Sequence, residues 1–285
     1  MLEMLLAAAL MDTVIAFPDD AGIFVHEWGV VTFTGESVAM VSDPDILSSF
    51  QPPPFQDDDQ MVVRAPVVYF YGEPFSGTFS VTAASGTFIE TWPEPAFTDG
   101  RVASWSLTAS NGESDPDRWS SVGRMPCISP ELLELWRSPP SMALDFLDGS
   151  SEKYIYYECS LAPEAQDSYY PVSYGPGGPE LDPEYNGNIM RFVRTENGVL
   201  PLEPPSEGMV PLLCEWAGGS MKTQELEGMW KTWEDWIYRG SWSGDTLAVF
   251  PLPASTVELI TDIELITEEW VLVEYSRFYL GMMSL

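Results

Sequence analysis

The chain has 285 residues, with 12 Lys and Arg against 44 Asp and Glu, and a formal net charge of −32. A field of that sign repels phosphate, which excludes nucleic acid and anionic lipid as favoured partners. With 45% hydrophobic and 13% aromatic residues the chain can fill a core, while 25 prolines and 22 glycines favour many short strands joined by turns over long helices.

Residues 1–21 open on a short apolar run, Leu5-Leu6-Ala7-Ala8-Ala9-Leu10-Met11, followed by Ala16-Phe17-Pro18. This reads as a secretory leader and places the protein outside the cytoplasm, at the surface, in the periplasm or secreted. The run lacks a preceding Lys or Arg and carries Glu3 and Asp12 at its flanks, so a plain N-terminal helix of a cytoplasmic protein is the alternative. Spanning a membrane takes about 20 apolar residues, and no segment of the mature chain reaches that length. Residues 22–285 read as a single β-rich domain, with a division near 216–220 as the other option.

Ile23 to Thr34 is a strand of β-branched and aromatic residues, and residues 35–60, with three consecutive prolines and then Asp57-Asp58-Asp59, read as a loop. Met61 to Tyr71 is a second strand, where Pro66 marks an edge or a bulge. Gly77 to Trp92 reads as two strands broken at Ser85-Gly86. Arg101 to Ala109 alternates, with Ala103, Trp105 and Leu107 on one face. Ser129 and Pro130 start a short helix near 130–137. Lys153 to Cys159 is a strand, residues 161–188 read as a long surface loop, and Glu196-Asn197-Gly198 turns a hairpin over 189–202.

Met221 to Arg239 is an amphipathic helix. Leu226, Met229, Trp230, Trp233, Trp236 and Ile237 form one stripe, Ser220 or Thr223 caps the start, and Arg239-Gly240 ends it. Thr246–Leu252, Val257–Ile266 and Trp270–Leu280 close the chain as strands. The fold class is mostly β, an antiparallel sandwich-like architecture with one amphipathic helix near the C-terminus and a short helix near 130–137.

Catalytic motifs are missing: there is no Walker loop, no dinucleotide glycine fingerprint, no Gly-x-Ser-x-Gly and no His-Glu-x-x-His. The single histidine, His26, rules out a multi-histidine metal centre within one subunit. His26 and Glu27 are adjacent on a strand, so their side chains leave opposite faces. The chemical candidate is therefore His26 with a carboxylate from another strand, set against a histidine held structurally by main chain or Tyr hydroxyls. Carboxylate-pair chemistry on a glycan would use Glu27 beside Trp28 and Glu90 beside Trp92, with the two tryptophans as sugar platforms. No other cofactor is indicated. For calcium the carboxylates are Asp57, Asp58 and Asp59, and the pair Asp115 and Asp117, although Asp-Pro-Asp is also ordinary turn chemistry. Cys127, Cys159 and Cys214 allow at most one disulfide.

Several stretches together resemble a family of extracytoplasmic bacterial proteins that has no assigned activity and whose hallmark is His-Glu-Trp-Gly-Thr-Phe-Thr near the mature N-terminus. His26-Glu27-Trp28-Gly29 matches, followed by Val30-Val31-Thr32 instead of Thr-Phe-Thr. Ala65-Pro66-Val67-Val68-Tyr69-Phe70-Tyr71 is similar to a second family strand, and Gly86 to Pro93 to a third. At Tyr154-Ile155-Tyr156-Tyr157 the family continues with Arg-Gly, where this chain has Glu158-Cys159. Thr232-Trp233, Trp236 and Leu247 to Pro253 complete the resemblance. It implies an extracytoplasmic location and supplies no activity.

The favoured reading is thus a β-rich protein that acts by binding, or in a surface assembly, with a protein or carbohydrate partner. The alternative is a carboxylate-based carbohydrate-active enzyme or a sugar-binding module. A homo-oligomer would cover exposed strand edges.

Overall fold

The computed structural model describes residues 22–33, 38–40, 66–84, 86–119, 129–159, 169–175, 178–240, 242 and 244–285. The leader, Asp57, Asp58, Asp59 and Cys127 lie outside the described residues.

The molecule is mostly β. A nine-stranded sheet has the order β14-β13-β15-β17-β1-β3-β10-β5, with β2 also on β1. Its strands are β1 (Ile23–Phe33), β2 (Val38–Met40), β3 (Pro66–Gly72), β5 (Phe88–Trp92), β10 (Ile155–Cys159), β13 (Met190–Thr195), β14 (Gly198–Pro201), β15 (Thr246–Pro251) and β17 (Val273–Ser284). A second sheet has the order β16-β4-β7-β8-β9, with β6 on β7. It is built from β4 (Phe75–Ala83), β6 (Phe97–Thr98), β7 (Val102–Ser110), β8 (Ala143–Phe146), β9 (Ser151–Glu152) and β16 (Thr261–Thr267). β11 (Val172–Gly175) and β12 (Gly178–Leu181) form a separate hairpin. Four α-helices complete the described residues: α1 (Pro130–Arg137), α2 (Met209–Trp216), α3 (Thr223–Arg239) and α4 (Ala254–Ile260).

β1 is the axis of the fold. It pairs in parallel with β17 and antiparallel with β3, and all eleven of its residues are buried. A strand covered on both faces reads as a near-continuous apolar run, and IFVHEWGVVTF is one, interrupted at His26, Glu27 and Thr32. On the face carrying His26 and Trp28, helices cover the sheet. The Trp136 ring of α1 stands edge-on to Trp28 at 5.9 Å and stacks on Tyr156 at 5.6 Å. On the face carrying Glu27, the second sheet covers it: Phe70 of β3 meets Phe75 and Phe79 of β4 at 5.8 and 5.3 Å.

The apolar stripe of α3 is buried throughout. Trp233 is 1% exposed, and Trp230 stacks on Phe192 of β13 at 6.4 Å. Trp136 joins α1 to α3 by donating its indole N–H to the Thr232 hydroxyl at 3.0 Å. Gly240 ends α3 at φ 69°, a conformation that favours glycine. Ser129 caps α1 and accepts from the Leu132 N–H. The cap of α3 is Lys222, not Ser220 or Thr223. Its backbone N–H is satisfied by the Glu225 carboxylate at 2.6 Å, the reciprocal half of a capping box, while the cap residue itself contributes no side-chain acceptor.

Several sequence expectations are corrected. Pro66 is neither at an edge nor at a bulge: it is the first residue of β3, which lies between β1 and β10, and a strand start needs no donor from proline. The 35–60 loop contains the short strand β2 on β1. The 161–188 loop contains the β11–β12 hairpin, anchored by the fully buried Tyr169. Residues 209–216 are helical. Residues 257–260 are helical too, because the chain must cross there from β15 in one sheet to β16 in the other. The buried positions Thr256, Val257 and Ile260 follow helical spacing.

Candidate functional site

The strand period sends His26 and Glu27 to opposite layers, and each meets a buried partner. His26 is 2% exposed and Glu225 is wholly buried. His26 Nδ1 lies 3.2 and 3.1 Å from the two oxygens of Glu225. The partner carboxylate comes from the first turn of α3, not from another strand. A carboxylate only accepts, so Nδ1 carries the proton in this pair. Glu225 also accepts from the Tyr71 hydroxyl at 2.7 Å and from the Lys222 N–H. Tyr71 tilts against the imidazole at 4.7 Å, and the Lys222 ammonium sits 5.5 Å from the Tyr71 ring centre. Burial, reinforced by the Glu225 charge, raises the Tyr71 and Tyr69 hydroxyls well above the ordinary tyrosine range. Desolvation lowers the Lys222 ammonium, with Glu225 opposing it.

On the other layer, parallel pairing sets Glu27 beside Arg277 in register. Arg277 Nε donates to Glu27 at 2.5 Å, and its two terminal nitrogens donate to the Thr261 carbonyl and hydroxyl at 2.7 and 2.6 Å. The Tyr157 hydroxyl donates to the second Glu27 oxygen at 2.5 Å and lies 3.4 Å from the Tyr279 hydroxyl. Burial is the largest single effect on Arg277 and disfavours its charge. Glu27 and the hydroxyls of Tyr279 and Tyr157 outweigh it, so the guanidinium ends higher than usual. Burial, then Glu27, raise Tyr157 and Tyr279 well above the tyrosine range. The buried Cys159 thiol is pushed up by desolvation, then by Glu27 and Glu158.

A third buried pair carried no signal in the sequence. Arg137, at the end of α1, grips Glu152 with two bonds of 3.0 and 2.5 Å, and its guanidinium lies 3.9 Å over the Trp119 ring. Glu152 is the second residue of a two-residue strand, too short for any pattern to betray that it is buried.

The other candidates are dispersed. Trp28 is fully buried and Trp92 is 9% exposed, so both are core aromatics and neither offers a face to a sugar. Glu90 is half-buried on the edge strand β5, opposite Glu158 and remote in register from β1. Asp115 caps the single turn Pro116–Arg118 by accepting from the Asp117 N–H at 3.1 Å, and both acids are exposed. That is turn chemistry. Among the described residues no group of three or more His, Cys, Asp or Glu side chains could hold a metal ion. Cys159 is buried and Cys214 half-buried.

The histidine–carboxylate pair has the orientation in which Nε2 would be the working nitrogen of a base. At 2% exposure it has no open approach for a substrate. Each of the three pairs is instead sealed inside a packed layer, with its charge met by a partner.

Fold and clusters together define a mostly β, two-sheet protein with a helical cover and charged pairs locked between its layers. Comparison of the chain with protein-family models, with curated proteins and with solved structures gave no match. No helix among the described residues is long and apolar enough to cross a membrane.

Proposed function

We propose that this protein is extracytoplasmic, acts by binding or in a surface assembly, and performs no catalysis. One observation carries the reading: the only histidine and its carboxylate partner are sealed under α3, with the carboxylate already bonded to Tyr71 and Lys222. A general base must reach the proton it takes, and this one meets only protein. Glu27, one of the two carboxylates the sequence offers for glycan cleavage, is likewise wholly buried and paired to Arg277. The leader-like segment and the motifs that resemble an extracytoplasmic family support export.

Export is tested with the full chain carrying a C-terminal reporter enzyme that becomes active only after translocation. Reporter activity in intact cells is expected, and activity confined to the cytoplasm would contradict export. Catalysis is tested by incubating the purified protein with neutral polysaccharides and assaying new reducing ends. None are expected, and their release by the purified protein would overturn the reading.

The sugar-binding half of the alternative has an observation in its favour. Trp270, unlike Trp28 and Trp92, is 93% exposed beside a groove.

A further inference from the structure

We propose that the outer face of the second sheet, with the adjoining turn at Trp270, is a binding groove for an extended, uncharged oligosaccharide. The inference rests on the binding reading above and gives it a place and a ligand class.

Two concavities meet on this face. One, of about 470 Å³, is lined by Glu73, Phe75, Glu269 and Trp270 among others. The other, of about 600 Å³, runs over Thr78 and Ser106 between Leu147 and Ile266. Both include Ser76, Thr108, Thr267 and Glu268, so they adjoin along this face. Each lies within the range of roughly 300–1,000 Å³ common for small-molecule sites.

The floor has an unusual chemistry for this chain. The outward positions of β4 are Ser76, Thr78, Ser80 and Thr82, and those of β7 are Val102, Ser104, Ser106, Thr108 and Ser110. In a sequence with 44 acidic residues, an outward sheet face normally takes its share of charge, and these two strands take none. Within the concavities Ser76 and Thr108 face one another across the ladder at 3.1 Å, and the row continues outside them at Ser80 and Ser104, 2.9 Å apart, beside Glu264 of β16. A bonded hydroxyl pair retains one proton and spare lone pairs, so the floor still offers donors and acceptors, without charge.

The walls supply the rest. Leu147 and Ile266 are 80% and 60% exposed, and Trp270 presents almost its whole indole at the end of the groove. An indole platform beside a strip of hydroxyls matches a pyranose, which has an apolar C–H face and a hydroxyl edge. Glu73, Glu268 and Glu269 rim the same end, and with the net charge of −32 they repel uronic acids, sulfates and phosphates. Asp145, on the opposite wall, is neutralised by Arg118 at 2.9 Å. A neutral saccharide is the ligand that uses floor, wall and platform together.

The test is native gel electrophoresis of the full chain through gels containing xylan, mixed-linkage β-glucan, galactomannan or polygalacturonate, followed by calorimetry with oligosaccharides of whichever polymer retards it. The expected result is retardation by at least one neutral polymer and none by polygalacturonate. Affinity should fall at least about tenfold in Trp270→Ala, as for an aromatic anchor. A smaller loss is expected in Thr78→Val with Ser106→Val, which leaves the core untouched. Retardation by none of the neutral polymers, or retardation unchanged in both variants, would overturn the proposal. So would binding of nonalysine that is lost in Glu268→Gln with Glu269→Gln while no saccharide binds, since that assigns the groove to a basic peptide. Release of reducing ends from a polymer that binds would sink only the non-catalytic reading and would leave the groove standing.

Discussion

His26 and Glu27 are neighbours on one strand, yet the two sides of β1 hold them by different means. On the inter-sheet side, Glu27 meets Arg277 through backbone register: β1 and β17 run parallel and place the two residues opposite each other. On the helical side, His26 meets Glu225 only once α3 has docked, and the same carboxylate also completes the start of that helix. One contact is set by strand pairing and completed by Thr261 of the second sheet, and the other by packing of a helix onto the opposite face. A single residue step therefore separates a cluster held between the two sheets from one that reports on the attachment of the helical cover.

The largest effect should come from unpairing the inter-sheet cluster. Arg277→Met strands the buried Glu27 carboxylate and is expected to cost about 3–5 kcal/mol in urea denaturation. Adding Glu27→Gln should restore much of that loss, and a cost below about 1 kcal/mol for the single variant would remove the cluster from the account. On the helical side, Glu225→Gln keeps the shape but deprives Tyr71, Lys222 or His26 of an acceptor. A loss of about 1–3 kcal/mol is expected, with amide exchange quickening first at the start of α3. Exchange quickening equally in β1 would erase the distinction between the two sides.

Alkali should act on both layers together. The hydroxyls of Tyr71, Tyr157 and Tyr279 are raised in the folded protein, so they keep their protons where the unfolded chain loses them. Their contribution is fully present below about pH 10, the ordinary tyrosine value, and falls as pH rises beyond it. The urea midpoint should fall there, with tyrosinate absorbance before unfolding confined to exposed residues such as Tyr238 and Tyr275. A folded-state amplitude large enough to include Tyr71, Tyr157 and Tyr279 as well would show that these hydroxyls meet solvent. The smallest effect on stability is expected at Cys159, whose raised and buried thiol should resist alkylation until the sheets separate, while Cys214 reacts in the folded state. With Cys127→Ser as background, mass spectrometry of the alkylated chain distinguishes the two sites.

Much of this architecture was legible because local chemistry and global position agreed. The stripe from Leu226 to Ile237, the Ser129 cap and the Glu196-Asn197-Gly198 turn each carry their own period or backbone requirement, and all three occur where the spacing puts them. The missed helix α4 shows the opposite case. Val257 and Ile260 look like strand residues, and only the need to cross between sheets bends them into a helical turn. The helix α2 has Gly208 as its N-cap and no side-chain cap, so nothing announces its start. For the candidate site, the opposite aim of His26 and Glu27 followed from the strand period, but their partners did not. Glu225 reads as an acid favouring the positive end of a helix. Its pairing with a residue 199 positions away is a tertiary event. The one available hint was its place three residues after Lys222, a capping-box spacing disguised by the lack of Ser or Thr.

Because His26 is the only histidine in the chain, its accessibility can be read without interference. Diethyl pyrocarbonate modification, followed by absorbance of the acylated imidazole along a urea titration, tests whether it is sealed beneath α3. The account predicts no reaction in the folded protein and full reaction once α3 is released. Modification of the folded protein at the rate of a free imidazole would contradict it, and would reopen the His26–Glu225 pair as a working base.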